Sequence, residues 1–119
     1  MNFTQIRMLQ FSDTLKKTKM YCSNYEKILP TKSFVFLDPP YVLTYINTYY
    51  QEHHMILDDI YNYFIKLHNN KNKILLTLNY DESIKQKFKK FNIKTYKKLA
   101  RHKEGSKKGI LKELIITNY

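Results

Sequence analysis

The chain has 119 residues with 21 Lys and Arg against 10 Asp and Glu, a net charge of +11; that is enough for one domain (residues 1–119) and tight for two. Hydrophobic residues make up 43%, which excludes a disordered tail, and no apolar run approaches the roughly 20 residues of a membrane helix. The opening MNFTQIRMLQF lacks the charged-then-apolar order of a secretory signal, and a single cysteine, Cys22, excludes an internal disulfide and a zinc ribbon; both suit a reducing cytoplasm.

Residues 4–16 are expected to form a helix with Thr4 as N-cap and Ile6, Met8, Leu9 and Leu15 partly sharing one side. KMYC at 19–22 reads as a short strand. SFVFL at 33–37, apolar after its serine and bounded by prolines, reads as a strand buried on both faces, as in a parallel sheet. Residues 42–50 read as a loop. Between Gln51 and His68, Ile56, Ile60, Tyr63, Phe64 and Leu67 fall on one helical stripe. KILLTL at 73–78 is a second buried strand, Asp81–Lys90 a short helix, NIKTYKK at 92–98 an edge strand, 101–109 a basic loop, and LKELIIT at 111–117 a last strand. Alternation of this kind predicts an α/β fold with one open sheet.

The charge is concentrated. From Asp81 to Lys112 stand twelve basic residues, among them Lys97, Lys98, Arg101, Lys103, Lys107 and Lys108, against Asp81, Glu82 and Glu104. A solvated lysine-rich face is one account of the individual side chains. The one-sidedness of the whole segment favours a surface that contacts phosphates.

FLDPPY at 36–41 carries the chemistry. Ligands of open α/β sheets sit outside the carboxyl ends of the strands. Two prolines there fix φ and stiffen the turn, so it holds its shape without a ligand. The Asp38 carboxylate and the Pro39 carbonyl then form a pair of acceptors, the number an exocyclic NH2 group requires. Tyr41 offers a face for a planar base, worth about 1–3 kcal/mol. The alternative is an ordinary proline turn with Asp38 capping a backbone group. His53 and His54 are adjacent, hence on different helix faces, and no carboxylate follows four residues on, so no metal site is expected. Cys22 reads as a small buried hydrophobe.

Asp38-Pro39-Pro40-Tyr41 resembles the catalytic motif of amino-group methyltransferases that use S-adenosylmethionine, and more of the chain is similar to one branch, the Dam-like (D12 class) adenine-specific DNA methyltransferases. MYCSNYEKIL at 20–29 resembles the segment before the motif, which in the family reads Cys-x-Asp-Tyr/Phe. TYYQEHHMIL at 48–57 is similar to aromatic-x3-Asp-His-x2-Leu, with Tyr49, His54 and Leu57 matching and His53 in place of Asp. LLTLN at 75–79 and ELIITNY at 113–119 resemble the family's Leu-Ser-Asn strand and carboxyl terminus. The resemblance implies an open Rossmann-like methyltransferase sheet flanked by helices, with double-stranded DNA as substrate and S-adenosylmethionine as cofactor. It implies that Asp38, Pro39, Pro40 and Tyr41 act on an adenine flipped out of the duplex. Asp38 and Pro39 would accept hydrogen bonds from N6 and free its lone pair, while Asp38 also lies near the cofactor. Asn24 stands where relatives place an Asp near the cofactor's adenine; otherwise it is a turn residue.

The only glycines are Gly105 and Gly109, so the family's glycine-rich cofactor loop and first strands are missing, and the chain is expected to be the carboxyl-terminal part of such a domain. Without those strands SFVFL has an open apolar edge, expected to pair with a second copy or with a separate chain that supplies the cofactor-binding half. An RNA amino-methyltransferase also uses this motif, and a gene remnant acting as a basic nucleic-acid-binding or oligomerising protein is the non-catalytic alternative.

Overall fold

The computed structural model describes residues 3–40, 42–43, 55–99 and 110–119. Helix α1 (Phe3–Lys16) is followed by irregular backbone, a single 3-10 turn at Tyr25–Lys27 and strand β1 (Phe34–Leu37). Two short parallel strands, β2 (Val42–Leu43) and β3 (Met55–Ile56), precede helix α2 (Leu57–Asn69). Strand β4 (Lys73–Asn79), helix α3 (Glu82–Lys87), strand β5 (Asn92–Leu99) and strand β6 (Ile110–Thr117) complete the order.

The main sheet has four strands in the order β1-β4-β6-β5, with β4 parallel to β1 and β6 antiparallel to both β4 and β5. This is an α/β fold with a mixed open sheet flanked by helices, as the alternation of elements predicts. Helix α2 forms on the expected stripe: Ile60, Tyr63, Phe64 and Leu67 are buried. Asp58 and Asp59 stand in its first turn and Lys66 and His68 in its last, complementing the helix dipole. Asp81 caps α3, its side chain accepting from the Ser83 amide at 2.8 Å. The core joins these helical residues to Ile74, Leu76 and Leu78 of β4, Leu114 and Ile116 of β6, and Ile84 and Phe88. Among the described residues no helix is long and apolar enough to cross a membrane.

Five readings of the sequence need correction. The stretch 42–50 is not all loop, since Val42–Leu43 forms a strand parallel to Met55–Ile56. SFVFL is not buried on both faces: Val35 and Leu37 pack against the core, whereas Phe34 is 61% and Phe36 58% exposed. A continuous apolar run does not say which face is covered, and here only one is. KMYC forms no strand and exposes Met20, Tyr21 and Cys22, so Cys22 is not the buried hydrophobe expected; among the described residues no strand pairs with this stretch. The α2 helix starts at Leu57, and Ile56 lies in β3 and is exposed. Helix α1 begins at Phe3, so Thr4 lies within it and does not cap it, and its Met8, Phe11 and Leu15 are exposed.

Candidate functional site

The carboxyl end of β1 delivers the chain into Asp38-Pro39-Pro40, beside the carboxyl half of β4. The Thr77 hydroxyl donates to Asp38 Oδ1 at 2.6 Å and lies 3.3 Å from the Leu37 carbonyl oxygen. A short bond to an ionised acceptor is among the stronger hydrogen bonds, and it fixes the carboxylate over the end of the sheet. Among the described residues, no main-chain amide donates to Asp38, the contact by which a capping aspartate would close an ordinary proline turn. One oxygen is held and the group is solvent-exposed.

Two recesses share this turn. The larger, about 400 Å³, is lined by Asp38, Pro39 and Pro40 with Thr77, Leu78, Asn79 and Glu113. Register explains the polar set: Asn79 lies opposite Glu113, and Tyr96 lies opposite Glu113 on its other side, so three side chains form one row across β4, β6 and β5. The smaller, about 250 Å³, is apolar, with Tyr25, Phe36, Leu37, Ile60 and Tyr63 around the same Asp38, Pro39 and Pro40. The Tyr25 and Tyr63 rings meet edge to face, 4.9 Å between centroids. The Tyr63 hydroxyl donates to the Ile28 carbonyl at 2.7 Å. Burial pushes both phenols above their usual 10.0, and for Tyr25 the charges of Glu26 and Asp59 and the Tyr63 phenol add to it.

Asn24 lines neither recess. It caps the 3-10 turn, its side-chain carbonyl accepting from the Glu26 amide at 3.0 Å, and so sets the position of Tyr25, which does line one. Sequence reasoning therefore chose the neighbour of the recess-lining residue. It also passed over Thr77, Asn79 and Glu113, whose signal was their place on the alternating outer positions of β4 and β6 near the motif strand. Tyr41, His53 and His54 lie outside the described residues, as do Arg101, Lys103, Lys107 and Lys108.

Of the basic residues, Lys97 is exposed on β5, directly opposite Lys112 of β6, and Lys98 follows it in the strand. Like charges directly opposite repel. The described ion pairs join Lys16 to Asp13, Lys85 to Glu82 and Lys87 to Asp58, so neither lysine of the opposed pair has a carboxylate in them. Lys112 instead stands 5.3 Å above the Tyr80 ring.

No family model matches the chain, and no curated protein matches it.

Proposed function

We propose that the chain is the catalytic part of a DNA methyltransferase that modifies N6 of adenine with S-adenosylmethionine as methyl donor. The observation that carries this reading is the Asp38 carboxylate, pinned through Oδ1 by Thr77 at the mouth of a polar recess it shares with Pro39. With Oδ1 held, Oδ2 and the Pro39 carbonyl are the two acceptors offered to an exocyclic amino group. Accepting both N6 protons favours a pyramidal nitrogen whose lone pair projects out of the ring. Placement and charge complementarity, rather than strong base catalysis, supply most of the rate. Tyr41 follows the turn and stacks on the flipped base. The mixed open sheet is compatible with part of a Rossmann-like fold.

The smaller recess suits the flat adenine ring of the cofactor: Tyr25, Phe36 and Tyr63 give it aromatic walls, and Asp38 gives a negative charge near a sulfonium. Asn24 contributes by holding Tyr25. The donor, when bound, supplies an electrophilic methyl group. For its amino-acid tail the 119 residues hold no glycine turn outside Gly105 and Gly109, so this chain is expected to bind it weakly by itself. Lys97 and Lys112, paired across β5 and β6, with Lys98, Arg101, Lys103, Lys107 and Lys108 of the same basic segment, supply positive charge for the phosphates of double-stranded DNA.

The test is transfer of labelled methyl from S-adenosylmethionine to duplex DNA, by the chain alone and co-expressed with the polypeptide encoded immediately upstream. Digestion to nucleosides should show label in N6-methyldeoxyadenosine. Asp38→Asn should lower the rate by about 10²–10³-fold, the usual cost of removing an electrostatic contact made in the transition state. Label in cytosine, in RNA only, or in nothing under either condition would overturn the proposal.

A further inference from the structure

The proposed chemistry uses the Asp38 turn and leaves two polar residues of the same recess without a task. Asn79 of β4 and Glu113 of β6 line this space of about 400 Å³, a volume in the range of small-molecule sites. They are cross-strand partners, so their side chains stand side by side on one face of the sheet, both part-buried. Asp38 follows β1, which pairs with β4 on the side away from β6. The Asp38 carboxylate, the Asn79 amide and the Glu113 carboxylate are thereby ordered across neighbouring strands, which lie about 4.8 Å apart.

Hydrogen-bonding character alternates along that order. Asp38 accepts, and the Thr77 proton is already committed to its Oδ1. The two prolines carry no N–H. Asn79 brings the side-chain amide of this lining, with N–H protons to donate, and Glu113 is again an acceptor. The edge of adenine that normally pairs presents the complement: an amino group, then the acceptor N1, then a C–H at position 2. Cytosine repeats the amino group and the ring acceptor but ends in a keto oxygen, O2. Guanine and thymine put a keto oxygen where Asp38 needs an amino group. We propose that Asn79 and Glu113 read the base, Asn79 by donating to N1 of adenine and Glu113 by facing position 2, where it repels O2 of cytosine. The assignment rests on the methyltransferase reading and names what restricts it to adenine. Selectivity of this kind comes from an unfavourable contact with the competitor as much as from a favourable one with the substrate. A keto oxygen held against a carboxylate leaves two acceptors without a donor, the costly arrangement for polar groups withdrawn from water.

The test reads binding, so it does not depend on methyl transfer. The isotopically labelled chain is titrated, by nuclear magnetic resonance, with the deoxynucleosides of adenine, 1-deazaadenine, 2,6-diaminopurine and cytosine. Deoxyadenosine should shift the side-chain amide signals of Asn79. The 1-deaza analogue, with a C–H in place of N1, should bind about tenfold more weakly. The diaminopurine analogue carries an amino group at position 2, a donor for Glu113, and should bind about tenfold more tightly than deoxyadenosine. Glu113→Gln should erase that gain and raise the affinity for deoxycytidine, because a glutamine amide can donate to O2. A gain of binding does not come from damage to the fold. If the variant fails to fold, the deaza and diaminopurine comparisons on the natural chain still decide. Three results would overturn the inference: a diaminopurine that binds no tighter than adenine, deoxycytidine binding unmoved by Glu113→Gln, or no nucleoside that shifts Asn79. A chain that methylates adenine in DNA but fails these comparisons keeps the methyltransferase reading and loses this one. A chain that passes them but transfers no methyl group keeps the base reader and loses the chemistry.

Discussion

At the amino end of β4, polar side chains are enclosed by partners. Asn72, 4% exposed, donates to the Pro30 and Leu67 carbonyls at 2.8 and 2.9 Å and accepts from the Ser33 amide at 2.9 Å. Asn118 donates to the Asn72 carbonyl at 2.8 Å, accepts from the Ile74 amide at 2.7 Å, and lies 2.9 Å from His68 Nδ1. At the carboxyl end of the same strand, Thr77 holds Oδ1 of the exposed Asp38, and the recess beyond it is lined by Glu113. One end ties three chain segments together; the other holds acceptors in place facing open space. The contrast separates residues that make the fold from residues positioned to meet a ligand.

The largest effect expected from this contrast is at Asn72. Asn72→Ala removes three hydrogen bonds and strands buried backbone groups, so it should cost about 2–4 kcal/mol of unfolding free energy. Asp38→Asn, at the open end, should cost less than about 0.5 kcal/mol. Urea denaturation of the two variants measures the difference; equal losses would dissolve the distinction between the ends.

An intermediate effect belongs to the aromatic recess. Tyr63→Phe removes the donor to Ile28 and should cost about 1 kcal/mol at neutral pH. The pH dependence has a definite sign. Both phenols titrate higher in the folded protein than in the unfolded chain, so the folded state holds more protons once the unfolded tyrosines ionise. Their contribution is complete below about pH 10 and is lost as pH rises through the folded values. Stability should therefore fall with alkalinity above about pH 10, and less steeply in Tyr63→Phe. An unchanged slope in that variant would mean that the recess does not shelter the phenol.

How much of this was legible in the sequence follows the same division. The helical stripe of α2 and the apolar runs of β1, β4 and β6 declare themselves through periodicity, because each side chain is placed by its own element. The end of β1 at Leu37 was placed correctly because two prolines follow it and restrict the backbone locally. Asn72 and Asn118 carried no such sign: their partners lie up to 50 residues away, and an isolated asparagine near a turn reads as a turn residue. The exposure of Phe34 and Phe36 was hidden for a related reason, since coverage of a face depends on which direction the crossovers take. Thr77 and Glu113 became site residues only through register, by facing the turn from β4 and β6.

Thr77→Val, like Asp38→Asn, is a small change in stability, and it is the sharpest test of that register. The hydroxyl it removes serves an exposed carboxylate that water can solvate in its place, so the loss should stay below about 0.5 kcal/mol. The positional consequence is larger. Without the donor at 2.6 Å, Asp38 Oδ1 is no longer anchored and the carboxylate samples other rotamers. If the carboxylate orients an amino group, methyl transfer should fall roughly tenfold while the fold is preserved, because orientation is lost but charge is not. Thr77→Ser, which restores the hydroxyl, should recover most of that rate. A valine variant as active as the parent would show that Asp38 needs no support from β4, and the polar recess would lose its claim to be the place where the base is held.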